Sequence, residues 1–117
     1  MPSLAADLAA AFVGGPAVKV DDTGAGYLRA NVAWPNGAWA KLDIHPQRVY
    51  WYSLRGRGSA RRLKESYEPV KACFAARGVH RFECGPLDDA SRGRLLALGP
   101  WTEFVGDDGF TYLAVEF

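Results

Sequence analysis

The residues of this chain best placed to do chemistry lie in one run, Leu54-Arg55-Gly56-Arg57-Gly58-Ser59-Ala60-Arg61-Arg62. It stands between an apolar, aromatic strand, Val49 to Leu54, and a segment that reads as a helix, Ser59 to Arg77. A small-residue turn from a strand end to a helix start exposes several backbone N–H groups, and the helix start adds its partial positive charge. Together they make a cradle for a phosphate or pyrophosphate. Arg55, Arg57 and Arg61 at the rim raise the local potential further. A glycine-rich turn that only reverses the chain is the plainer alternative, because a lone glycine motif is a weak signal.

Other reactive side chains are scattered. His45 ends a strand that also carries Asp43; it could deprotonate an amine, or simply occupy the turn before Pro46. Asp43 shares a strand face with Lys41 and equally suits a cross-strand ion pair. Tyr50 and Tyr52 lie on the strand that enters the glycine-rich loop, where either could donate a proton or only pack the sheet. His80 reads as structural. Cys73 and Cys84 form no CxxC pair and no metal-spaced cluster, and read as buried free thiols that suit a reducing cytoplasm. Trp34, Trp39 and Trp51 cluster in one region without an RNA-binding pattern, which favours core or interface over nucleic acid.

These residues must be positioned by one domain, residues 1 to 117, with 49% apolar residues and enough aromatics for a sizeable core. The net charge of +1 excludes a strong overall field. Its distribution is uneven. Six basic residues and no acid fall between Arg48 and Lys64, whereas four acids and no base fall between Pro100 and Phe117. That asymmetry suits an anionic partner on one side. The apolar start, Leu4 to Val13, lacks a basic leader and is too short to span a bilayer.

Ser3 to Phe12 reads as a short helix capped by Ser3, and Ala17 to Val20 as a strand. Alternation then predicts strands over Gly26–Trp34, Ala38–Ile44 and Arg48–Leu54, with turns at Pro35-Asn36-Gly37 and His45-Pro46-Gln47. Leu63, Tyr67, Val70 and Phe74 share one helix face. Pro69 lies within that span and predicts a kink or a restart. Val79–Cys84 reads as a strand. A helix capped by Asp88 or Asp89 runs to Leu98, with Leu95, Leu96 and Leu98 inward. Trp101–Val105 and Phe110–Phe117 form a final hairpin, and an edge at Phe110–Phe117 could pair copies of the chain. A meander followed by a β-α-β crossover gives an α+β class: a mixed, mostly antiparallel central sheet flanked by helices.

In this order, and in the loop Arg55-Gly56-Arg57-Gly58-Ser59-Ala60, the chain resembles the GNAT superfamily of acyl-CoA-dependent N-acyltransferases. The loop fits the family pattern [Q/R]-x-x-G-x-[G/A], and the helix ending at Leu98-Gly99 followed by a hairpin matches the family's closing order. The resemblance implies that main-chain amides of Arg57, Gly58, Ser59, Ala60 and Arg61 hold the pyrophosphate of acetyl-CoA or another acyl-CoA. Gly56 and Gly58 would permit close backbone approach. It implies that Val49–Leu54 and Val79–Cys84 splay apart and admit the pantetheine arm, with the thioester carbonyl meeting backbone N–H near Tyr52 or Ser53. The cofactor-binding set is then Tyr52, Ser53, Leu54, Arg55, Gly56, Arg57, Gly58, Ser59, Ala60, Arg61 and Asp88; the catalytic set is Tyr52, Asp43 and His45.

The chain departs from the family pattern at Leu95, where a tyrosine general acid often stands, and at Asp88, where asparagine is common. The segment before Tyr27 has room for one helix where the family usually has two. The N-terminal helices are thus reduced, and the acceptor side is open or completed by a partner. The chain also loosely resembles small internal virion proteins of short-tailed phages with an acyltransferase-like fold. That likeness implies a catalytically silent module assembling in a virion or binding a host protein.

Overall fold

Ten elements alternate along the chain in the computed structural model, which describes residues 3–56 and 58–117, with backbone alone at 52–54, 59 and 60. They are α1 (Leu4–Ala11), β1 (Ala17–Asp22), β2 (Leu28–Ala33), β3 (Trp39–Ile44), β4 (Val49–Arg55), α2 (Ser59–Ala75), β5 (Arg81–Cys84), α3 (Asp89–Leu98), β6 (Thr102–Val105) and β7 (Thr111–Glu116). All seven strands join one sheet in the order β1-β2-β3-β4-β5-β7-β6. Every neighbouring pair is antiparallel except β4 with β5, which the α2 crossover makes parallel. The fold is α+β with a mixed, mostly antiparallel sheet, as the sequence predicts.

Local chemistry explains the elements. Ser3 caps α1, its hydroxyl accepting from the Ala6 N–H at 3.1 Å. The Asn36-Gly37 turn closes with Trp34 N–H on Ala38 C=O at 2.8 Å, and Gly37 takes a φ of 89°. Asp88 caps α3 through the Ser91 N–H at 2.7 Å. One face of the sheet carries the core: Val32, Leu42, Val49, Trp51, Phe82 and Leu113 meet Leu8 and Phe12 from α1 and Leu63, Tyr67, Val70 and Phe74 from α2.

Three expectations need correction. α2 does not restart at Pro69: it is one helix from Ser59 to Ala75, because its buried face spans both sides of the exposed proline. Phe110–Phe117 is not an edge: β7 lies between β5 and β6, and the edges are β1 and β6. Leu95 and Leu96 pack on the core, whereas Leu98 is half-buried outside it.

Candidate functional site

The β4–β5 pair is short. Val49, Tyr50 and Trp51 face Phe82, Glu83 and Cys84, and there the pairing ends. β5 is paired with β4 to its last residue, so the two strands do not splay as expected; β5 ends first, β4 continues to Arg55 against β3 alone, and the chain beyond Cys84 turns away through Gly85-Pro86 into α3. Among the described residues no strand pairs with positions 52–55 on the β5 side. At the usual rise per residue about 13 Å of β4 has no strand beside it, a wedge in the hydrogen-bond ladder. β3 and β4 also slip register there. Lys41 faces Ser53 and Leu42 faces Trp51, so Tyr52 is the extra residue of a β-bulge. A bulge leaves the extra residue's main-chain groups out of the ladder.

The glycine-rich turn follows at once. Gly56 has a φ of +96°, and a Cβ there would fall 2.6 Å from the Ala38 Cα, so only glycine lets the turn lie against β3. Gly58, at φ 78°, is the N-cap of α2 and brings no side chain to cap it. Among the described residues a Cβ on Gly58 would meet the Asn36 Nδ2 alone, at 3.9 Å. The first turn of α2 holds no acid to offset the helix's positive end, and the Arg62 N–H to Gly58 C=O bond at 3.1 Å begins the helical ladder.

Of the rim arginines, Arg55 is exposed, and Arg61 is exposed and pairs with Glu65 at 2.7 Å. Arg57 lies outside the described residues, as do the side chains of Tyr52, Ser53, Leu54, Ser59 and Ala60. The proton-donor role expected of Tyr52 therefore falls there too. Arg62 turns from the rim: its Nη1 occupies the space 1.7 Å from where a Gly14 Cβ would stand.

The sheet face opposite the core carries a row of polar side chains across its centre. Arg29, Asp43, Tyr50 and Glu83 are successive register partners from β2 to β5. Both Asp43 oxygens accept from Arg29, at 2.7 and 3.2 Å. Glu83 accepts from Arg48 at 2.8 Å and from Arg81 at 2.6 Å. Asp43 and Glu83 are 7% and 8% exposed, so the arginines compensate carboxylates that are largely out of water. Asp43 is thus a structural ion-pair partner in this arrangement. Tyr50 donates to the Gly85 carbonyl and ties β4 to the point where β5 ends. Burial, then the nearby Cys84, Asp43 and Glu83, push its pKa up, so the hydroxyl stays protonated.

The remaining predicted residues lie apart. The His45 ring stacks on Tyr27 at 4.6 Å in the β3–β4 turn, and its main-chain N–H donates to the Arg48 carbonyl. That turn is at the far end of β4 from the glycines, about 20 Å along the strand. Asp88 is spent on capping α3, and its Ser91 hydrogen bonds hold its carboxyl below the usual range. Cys84 is buried, and desolvation pushes its thiol up to about 12, so it is no nucleophile. Trp34 and Trp51 are buried, whereas Trp39 is 37% exposed with the Lys41 ammonium 5.3 Å from its ring centre.

The sequence reading missed the roles of Arg29, Arg48, Arg81 and Glu83. Their signal was the alternation itself, which puts Arg29, Asp43, Tyr50 and Glu83 on the non-core face of four strands. The bulge at Tyr52 carries no glycine or proline to announce it. Among the described residues no group of three or more His, Cys, Asp or Glu could hold a metal, and no helix is long and apolar enough to cross a membrane. Neither a model of a known protein family nor a curated protein matches the chain.

Proposed function

We propose that this protein binds acyl-CoA and transfers the acyl group to an amine, as a small GNAT-like N-acyltransferase. The observation that carries the reading is the stretch of β4 that runs on past the end of β5, beside the bulge at Tyr52 and the glycine turn into α2. The residues present fit such a ligand. The turn at Gly58 and the uncapped start of α2 offer main-chain donors to a pyrophosphate. The wedge offers a slot for an extended arm, and the unladdered main chain at Tyr52 offers a donor to a thioester carbonyl. When bound, the acyl-CoA supplies an activated acyl carbon. The chain's own task is to hold that carbon beside the amine, keep water out and accept the amine proton.

A second reading is a binding module of the same fold that does not turn over. It is favoured by the ion-pairing of Asp43 with Arg29 and by Leu95, a packed side chain that cannot donate a proton. In this reading the partner is a protein, in a phage virion or a host. Acetyl-CoA titration followed by melting temperature tests the binding claim. Thiol release across a panel of amines then separates the two. Binding with thiol release supports the transferase; binding without it supports the module; no binding refutes the transferase and leaves the protein-binding module.

A further inference from the structure

One buried polar atom in the described core has no partner: the Trp51 indole Nε1. The contrast with its own residue type is direct. Trp34 donates to the Val13 carbonyl at 2.7 Å, and Trp101 donates to the Tyr67 hydroxyl. All three tryptophans are at most 6% exposed, so water does not serve Trp51 in place of a protein acceptor. Its ring is fixed edge-on between Phe12, at 6.0 Å, and Phe82, at 5.4 Å, and neither offers an oxygen. A phenylalanine would give the same apolar contact without stranding a donor.

Its place in the sheet matters. Trp51 stands on the last β4–β5 rung, opposite Cys84, and the next residue is the bulge at Tyr52. The residue that bears the unsatisfied donor is therefore the last paired residue before the wedge, with its ring on the core face of the sheet. Resting on the acyl-CoA reading, we propose that the Trp51 indole N–H is the donor to an amide carbonyl of the pantetheine arm. An amide oxygen is a strong acceptor, and an extended arm entering past the end of β5 brings one to this depth. The indole makes the site select ligands that carry the arm over the bare nucleotide, which needs only the turn at Gly58.

The test is a two-dimensional NMR titration of the isotope-labelled intact chain, with free coenzyme A and separately with its phosphoadenosine diphosphate half. The Trp51 indole signal is identified by its loss in Trp51→Phe. It should move with coenzyme A and stay in place with the nucleotide half. Trp51→Phe should weaken coenzyme A about five- to tenfold, one neutral hydrogen bond, and change nucleotide affinity less than about twofold. If coenzyme A moves the Gly58 amide but leaves the Trp51 indole unmoved, the N–H belongs to a ring face of Phe12 or Phe82. The proposal then falls while the acyl-CoA reading stands. If coenzyme A moves neither signal, both fall. Should Trp51→Phe fail to fold, the four indole signals are assigned through bonds and the wild-type titration decides alone.

Discussion

Gly58→Glu separates binding from folding at the centre of the proposed site. The left-handed φ of 78° costs a residue with a Cβ about 1–2 kcal/mol. Among the described residues the nearest atom to the new Cβ is the Asn36 Nδ2 at 3.9 Å, so no described group blocks it. A carboxylate at the start of α2 returns about 0.3–1 kcal/mol against the helix dipole. The net loss is about 1 kcal/mol, or about 4 °C in melting temperature for a chain of this length. The variant should therefore fold. Its carboxylate, however, takes the place proposed for the pyrophosphate. Acetyl-CoA at a hundred times its dissociation constant should stabilise the wild type by about 2.7 kcal/mol, a rise of about 10 °C. Gly58→Glu should abolish that rise, and Gly58→Ala, with the same backbone cost and no charge, should keep part of it. Differential scanning fluorimetry with and without ligand reads all three. Gly56→Ala is the opposite case: its Cβ would fall 2.6 Å from the Ala38 Cα, so it should lower the melting temperature by about 8–16 °C with no ligand present. An undiminished acetyl-CoA shift in folded Gly58→Glu would refute the loop assignment, and an unmoved wild type at millimolar ligand would refute the cofactor.

Four further outcomes are expected. Arg29→Met strands the buried Asp43 carboxylate and should cost about 2 kcal/mol, the buried-pair figure discounted for a partly exposed guanidinium; Arg29→Met with Asp43→Leu should recover much of it in urea unfolding. Phe82→Ala removes a ring with no solvent exposure that contacts Trp51, Phe74 and Phe117, and should cost about 3–5 kcal/mol in the same assay. Stability should fall with rising pH above 9.0: the unfolded chain then releases the Cys84 proton, while the folded chain keeps it until about 12. Raised Tyr50 and Tyr67 act in the same direction, so Cys84→Ala should flatten only part of the loss in urea midpoints measured at pH 8 and 10.5. Asp88→Ala should lower the melting temperature through the lost α3 cap, and because the residue serves the helix, it should leave coenzyme A affinity unchanged by calorimetry.

Much of the architecture was legible because it rests on local rules. Alternation at Arg29–Ala33 and Trp39–Ile44, the Asn36-Gly37 turn and the Ser3 and Asp88 caps each act within a few residues, and each holds in the structure. Pro69 misled because propensity is a local cost, while the burial of Leu63, Tyr67, Val70 and Phe74 is tertiary and larger. The place of β7 inside the sheet was hidden for a related reason. Nothing in a hairpin's own sequence says which of its strands faces the rest of the sheet. The ion pairs Arg29–Asp43 and Arg48–Glu83 depend on register across strands, which alternation suggests but does not fix.

The candidate site divides along the same line. Its binding half is made of main chain: a strand that outruns its neighbour, a bulge, two glycines at positive φ and an uncapped helix start. Such a half asks little of side chains beyond the absence of a Cβ, so a short glycine pattern could point to it. A catalytic half must instead be made of side chains with free lone pairs or protons. Here Asp43 is held by Arg29, Glu83 by Arg48 and Arg81, Asp88 by Ser91, and the Tyr50 hydroxyl by Gly85. On the acyl-CoA reading binding draws mainly on backbone, whereas turnover by any of these four side chains would need one of these bonds to open or a proton path through water at the wedge. An amine already neutral at alkaline pH needs no base to expose its lone pair before attack. If the fold positions but does not deprotonate, thiol release should rise with pH through the pKa of the amine supplied and track that pKa from one amine to the next. A rate set instead by a pKa common to all the amines would belong to a group of the protein, and would show that one of its side chains takes the proton.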